Sequence, residues 1–142
     1  MGSRPQAPTT FQVRGIDHVT LVVDDLERSR AFYCDILGMQ LTGRPDFPFD
    51  GLWFQAGSTQ VHLILNNDIA AAPGYPNASD STQAGVAHHF AFRVDDAREA
   101  ADKLRERGVR IMGGPALRPD GAVQVWFYDP DGHVVEVFHL EN

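Results

Sequence analysis

One phrase occurs twice in this chain, and the repetition dictates a duplicated architecture. His18 opens His-Val-Thr-Leu-Val-Val-Asp-Asp, and His89 opens His-Phe-Ala-Phe-Arg-Val-Asp-Asp. Superposed without a gap, Val23-Asp24-Asp25 falls on Val94-Asp95-Asp96. A nearly equal offset lays Val61-His62-Leu63 over Val135-Glu136-Val137. Self-similarity at a fixed spacing means one supersecondary unit used twice.

The elements follow in the same order in each copy. Ile16 to Val23 is a short β-branched run, the mark of a strand. Asp24 or Asp25 is placed to cap a helix in which Leu26, Arg30, Tyr33 and Leu37 recur at helical spacing, with Phe32 and Ile36 widening the stripe. Gly38 sits where a helix ends. A short strand over Met39 to Thr42 follows, then a loop from Gly43 to Gly51. A hairpin joins Leu52–Ala56 to Gln60–Leu65 across Gly57-Ser58. In the second copy Ala87 to Val94 is a strand, and Asp95 or Asp96 caps a helix running to Arg107. Val109 to Met112 is a strand and Gly113 to Gly121 a loop. Val123–Tyr128 and His133–Leu140 form a hairpin closed by Asp129-Pro130-Asp131-Gly132, a sequence suited to a tight turn. The expected fold is therefore α+β, two β-α-β-β-β modules. The boundaries are a tail over 1–13, a first module over 14–66, a linker or lid loop over 67–85 and a second module over 86–142.

Strand alternation assigns faces. Val19, Leu21 and Val23 share the face that covers a helix, which leaves His18, Thr20 and Val22 on the other. Phe90, Phe92 and Val94 face inward, leaving His89, Ala91 and Arg93 outward. His62 points with Ile64, and Glu136 with Val134 and Phe138. Each module thus sets two metal-competent side chains on the concave face of its sheet. A carboxylate such as Glu136 among Val134, Val135, Val137 and Phe138 costs several kcal/mol if buried alone, so it requires a partner. His18, His62, His89 and Glu136 offer three nitrogen ligands and one oxygen ligand, a set suited to Zn(II), Ni(II), Co(II), Mn(II) or Fe(II) with positions left open. A lone strand histidine is usually a hydrogen-bonded residue; four candidates at equivalent repeat positions are a stronger pattern. His88 is an alternative to His89 that the repeat register disfavours. His133 follows a turn and is expected to be exposed, and His139 falls on the face opposite Glu136. The paired aspartates are explained as caps. Arg93 is a candidate for holding an anionic substrate, or a surface ion pair.

The formal charge of −7 is spread along 142 residues, with no basic stripe. Nucleic acid is therefore a poor partner. No apolar run is long enough to span a membrane. The single cysteine, Cys34, forms no internal disulfide and fits a reducing cytoplasm. Its helical position, without an activating neighbour, suits packing rather than nucleophilic chemistry.

At these residues the chain resembles the vicinal oxygen chelate superfamily, which includes glyoxalase I, methylmalonyl-CoA epimerase, fosfomycin- and bleomycin-resistance proteins and extradiol dioxygenases. The carrying stretches are Asp17-His18-Val19, Arg30-Ala31-Phe32-Tyr33 through Leu37-Gly38, Gln60-Val61-His62-Leu63, His89-Phe90-Ala91-Phe92, and Asp129-Pro130-Asp131-Gly132-His133 through Glu136. They extend from about Gly15 to Leu140. The resemblance implies paired βαβββ modules and a metal held by the concave sheets. In glyoxalase I-like members the sites form between subunits, which implies a homodimer in which His18 and His62 of one chain meet His89 and Glu136 of the other. One departure stands out. Glyoxalase I usually carries Glu, and the epimerase Gln, where this chain has His62. A site with one carboxylate and a divalent ion has net charge +1, which favours an anionic, oxygen-chelating substrate. The lysine of the fosfomycin transferases is missing from the segment Gly113-Gly114-Pro115-Ala116.

Three functions are compatible with these residues. The leading one is a metal-dependent lyase or isomerase of the glyoxalase I type, acting on a small substrate through vicinal oxygens, with glutathione or another thiol as a possible co-substrate. Its base would be a metal-bound water or Glu136. Trp53, Phe49, Phe47 and Trp126 are candidates for lining an apolar pocket. The second is an Fe(II) extradiol-type dioxygenase using His18, His89 and Glu136, with His62 as a fourth ligand or acid–base group. The third is a non-catalytic small-molecule-binding resistance protein.

Overall fold

The computed structural model describes residues 10–66 and 88–141. The linker expected over 67–85 lies outside the described residues, as does most of the expected tail. The first half contains β1 (His18–Val23), α1 (Leu26–Arg30), a π-helical segment (Ala31–Ile36), β2 (Gln40–Thr42), β3 (Gly51–Ala56) and β4 (Thr59–Leu65). The second contains β5 (Phe90–Arg93), α2 (Ala97–Glu106), β6 (Ile111–Leu117), β7 (Ala122–Tyr128) and β8 (Val134–Leu140). The halves form two four-stranded mixed sheets of identical topology, ordered β1-β4-β3-β2 and β5-β8-β7-β6. In each, the first strand runs parallel to the last and sits at an edge of its sheet. This is the expected α+β duplication, in open sheets that leave a concave face available.

The caps resolve the two aspartate pairs. Asp25 Oδ1 accepts from the Arg28 N–H at 3.0 Å, and Asp96 Oδ1 from the Glu99 N–H at 3.0 Å. Each satisfies a donor that a first helical turn leaves orphaned. Asp24 accepts instead from the Asn66 amide. The first helix departs from regular α geometry at Ala31, where Leu37 N–H bonds to Phe32 O, five residues back, at 3.0 Å. The wider turn sends the adjacent Phe32 and Tyr33 both into the core.

β6 continues to Leu117, where a loop from Gly113 was expected. The register shifts between Ile111 and Gly113, and again between Gly113 and Ala116. Gly114 at φ 91° lies so close to the Gln124 carbonyl that a Cβ would collide with it. Glycine here lets a bulged strand keep pairing where the sequence looks like a loop.

One core serves both halves. Val23, Phe32, Tyr33, Phe54, Val61 and Leu63 join Ala101, Leu104, Val123, Val125, Phe127, Val135 and Val137 in a single buried cluster. Polar links cross between the halves as well. Tyr33 Oη donates to Asp129 Oδ2 at 2.8 Å, and the Asp131 carboxylate receives Asp24 N–H at 2.9 Å and Arg28 Nη2 at 3.0 Å. His133, expected at the surface, is half-buried, and its Nε2–H donates to Val22 O at 2.8 Å. The Asp129–Gly132 turn is thus pinned against α1, and it carries His133 inward.

Candidate metal and substrate site

The strand registers show why the sequence repeat places chemistry at matched points. On the concave face of the first sheet, Thr20, His62 and Trp53 are cross-strand neighbours in one row. On the second, Ala91, Glu136 and Trp126 make the corresponding row. His62 and Glu136 are therefore structurally equivalent, and so are the two tryptophans that flank them. His18 and His89 each lie two residues before Thr20 and Ala91, on the same face.

In the first half, His62 is stacked between two rings. Trp53 lies 3.9 Å away at 2° and His18 at 4.0 Å and 13°, centroid to centroid. Burial of the imidazole, followed by the like charge of His18, lowers the His62 pKa to about 4. Arg44 pushes in the same direction and Asp17 opposes it. His62 is thus a neutral donor across the physiological range.

The protonated nitrogen of His62 follows from an amide relay. Gln55 Nε2 donates to Gly57 O at 2.7 Å, and a backbone carbonyl can only accept. Gln55 Oε1 must then accept from Gln60 Nε2 at 3.0 Å, which leaves Gln60 Oε1 to accept from His62 Nε2 at 2.8 Å. The proton is on Nε2 and the lone pair on Nδ1. His18 is fixed in the opposite sense. Its Nδ1–H donates to Asp17 Oδ2 at 2.8 Å, so its lone pair is on Nε2. A carboxylate behind a histidine is the usual support of a metal-ligating imidazole.

In the second half, His89 Nε2 lies 3.1 Å from Glu136 Oε1, and Gln124 Nε2 donates to Glu136 Oε2 at 3.1 Å. Glu136 is 4% exposed. The expectation that this carboxylate requires partners holds, and it has two. His139 turns to the other face, where its Nδ1 accepts from the Ala97 N–H at 2.8 Å and finishes the start of α2.

Among the described residues, no three His, Cys, Asp or Glu side chains converge as a ligand cluster. One chain presents two pairs, His18 with His62 and His89 with Glu136. The donor types fit a borderline divalent ion, and the buried anionic Glu136 calls for positive charge, yet a single chain brings together only half a set at a time. A depression of about 1270 Å³ runs between Leu37–Met39 and Gln55–Thr59 on one side and β5 and α2 on the other. It takes in His89 and Arg93 but not His18, His62 or Glu136. The candidate site is therefore located by the chemistry of its side chains, on the concave faces.

The sequence of this chain over residues 15–137 matches the pattern of one protein family. The chain belongs to the Glyoxalase/Bleomycin resistance protein/Dioxygenase superfamily. Relatives in this superfamily include a lactoylglutathione lyase of Neisseria meningitidis serogroup A, 31% identical over 134 residues, which cover 88% of this chain and 90% of the relative. The mitochondrial methylmalonyl-CoA epimerase of Bos taurus is 30% identical over 121 residues, covering 82% and 67%. A lactoylglutathione lyase structure from Agrobacterium tumefaciens superposes with a TM-score of 0.68 at 24% identity, covering 90% of this chain and 95% of that one. The two named activities differ, so superfamily membership makes an enzyme the expected class without choosing its reaction.

The other candidates divide. Trp53 and Trp126 are half-buried beside His62 and Glu136. Arg93 is exposed on the concave face, across from Phe138. Phe49 is buried against Ile64, its ring is stacked on Phe47, and its backbone carbonyl accepts from Arg44 Nη2. Asp17, Gln55, Gln60, Gln124 and Arg44 were not among the site residues expected from sequence, although Asp17 and Gln60 lie in stretches that carry the resemblance. Asp17 immediately precedes His18, and Gln60 shares the His62 face two residues away; those two spacings are the signals that would have found them.

Proposed function

We propose that this protein is a divalent-metal-dependent lyase or isomerase of the glyoxalase I type, working as a homodimer with sites shared between chains. The observation that carries the reading is that the four candidate ligands lie as two pairs, His18 with His62 and His89 with Glu136. Each pair spans two neighbouring strands at equivalent places on its concave sheet, and neither would be sufficient alone. His18 Nε2, His62, His89 and Glu136 would hold a Zn(II), Ni(II), Co(II), Mn(II) or Fe(II) ion. When bound, such an ion polarises two vicinal oxygens of a small substrate and eases loss of the adjacent proton. Asp17 fixes the His18 lone pair on Nε2, and Gln124 holds the Glu136 carboxylate. Glu136, once displaced from the ion, or a metal-bound water would take and return the proton. The neutral His62 adds no negative charge, so an anionic substrate is favoured. The chemistry of a thiol adduct is supported by relatives named lactoylglutathione lyase.

The test is isomerase activity of metal-reconstituted protein on the hemithioacetal of methylglyoxal and glutathione, run beside O₂ uptake with a panel of catechols. Metal-dependent isomerisation supports the reading. Catechol-dependent O₂ uptake with no isomerase activity would replace it with the extradiol dioxygenase, and stoichiometric ligand binding with no turnover in any metal form would replace it with a binding protein.

A further inference from the structure

We propose that Arg44 is the receptor for a substrate carboxylate in this cleft, and that the substrate is a carboxylate joined to an apolar group. The proposal rests on the reading of the His62 face as the substrate face. Its starting point is register. Thr42 pairs with Trp53, so Arg44, two residues further along the same edge, falls beside Gly51. Gly51 in turn pairs with Ile64, two residues beyond His62. Arg44 therefore occupies the row next to the Trp53–His62 row, on the same concave face.

A Cβ on Gly51 would meet the Leu63 carbonyl and come within 3.2 Å of Arg44 Nη2. The guanidinium lies 5.1 Å from the Phe47 ring centroid and 5.3 Å from that of Phe49, rings that are themselves stacked at 5.0 Å. Nη2 donates to Phe49 O at 3.0 Å. These contacts orient a flat, rigid cation. Its polar capacity is far from used. Nε is fully buried without a hydrogen-bond partner, and none of the ion pairs among the described residues includes Arg44.

A half-buried cation with no described carboxylate paired to it favours a ligand that brings one. A guanidinium held flat favours a planar two-oxygen acceptor, hence a carboxylate. Phe47, among the more exposed large apolar side chains, stands 6.1 Å from Trp53 and provides the apolar wall beside it.

The test is calorimetric titration with benzoate and with its neutral isostere benzamide, in the presence of a chelator so that no metal competes for the carboxylate. The parent should bind benzoate at least about tenfold more tightly than benzamide, as expected for a charge-assisted hydrogen-bonded pair. Arg44→Gln should remove that preference and leave benzamide binding unchanged; Arg44→Lys should keep part of it. Equal weakening of both ligands in Arg44→Gln would make Arg44 a clamp for its own loop and overturn the proposal. So would a parent that fails to bind benzoate or to discriminate between the two. His18→Ala serves as the separating control. Benzoate binding that disappears in His18→Ala but survives in Arg44→Gln would also overturn it. A negative isomerase assay leaves every one of these outcomes readable, because none depends on turnover.

Discussion

His62 joins three influences in one side chain: a ring stack on both faces, an amide relay on Nε2 and a folded-state pKa near 4. An unfolded histidine titrates near 6.5, so between about pH 6.5 and 4 the unfolded chain takes up a proton that folded His62 refuses. The folded state must therefore lose stability as pH falls through that window. In metal-free protein, His62→Gln should flatten this part of the profile relative to the parent, measured as melting temperature against pH. Identical profiles would show that the stack does not exclude the proton. Asp17 makes a second residue-scale case. It is exposed and costs little to replace, but it fixes the donor nitrogen of His18. Asp17→Asn should weaken metal affinity roughly 10- to 100-fold while leaving thermal stability almost unchanged, as read by competition with a chromophoric chelator.

At the scale of elements, the turn between β7 and β8 is tied to the first helix by side chains rather than by backbone. Tyr33 is wholly buried, and its hydroxyl is the donor to Asp129 Oδ2, while Oδ1 serves the backbone of Asp131 and His133. Burial, followed by the neighbouring Asp129 charge, raises the Tyr33 pKa well above its usual value, so the phenol stays protonated and donates. Tyr33→Phe should cost about 1–3 kcal/mol, because it strands a buried acceptor. Chemical denaturation would measure this, and a loss below a few tenths of a kcal/mol would mean that water replaces the phenol. The elements themselves were largely legible, since apolar alternation and the paired aspartates reported strands and helix starts directly. The β6 extension was not. Its Gly113-Gly114-Pro115 has a loop's composition, and only the close approach of Gln124 shows why a strand tolerates it. The tie through His133 was hidden for a related reason, as its partner is a backbone carbonyl 111 positions away.

For the whole molecule, the repeat disclosed which four residues are equivalent, and the structure adds that one chain gathers them only as two pairs. The supporting glutamines and Arg44 were obscure in the sequence because their roles depend on cross-strand register, which composition does not carry. If sites are shared between chains, His18→Ala and Glu136→Ala proteins, each unable to bind metal, should complement one another on mixing. Half of randomly exchanged dimers are mixed and each has one intact site, so about a quarter of the parental metal content should return. No recovery after demonstrated subunit exchange would exclude the shared arrangement.

The outermost position of β1 and β5 in their sheets has a thermodynamic corollary for that arrangement. Two half-sets carried on separate chains make metal capture a second-order event in protein. Occupancy would then fall on dilution even at fixed free metal, and added metal would draw chains together with the same coupling free energy by which association raises metal affinity. A cell could therefore set how much of this protein is loaded by how much of it is made.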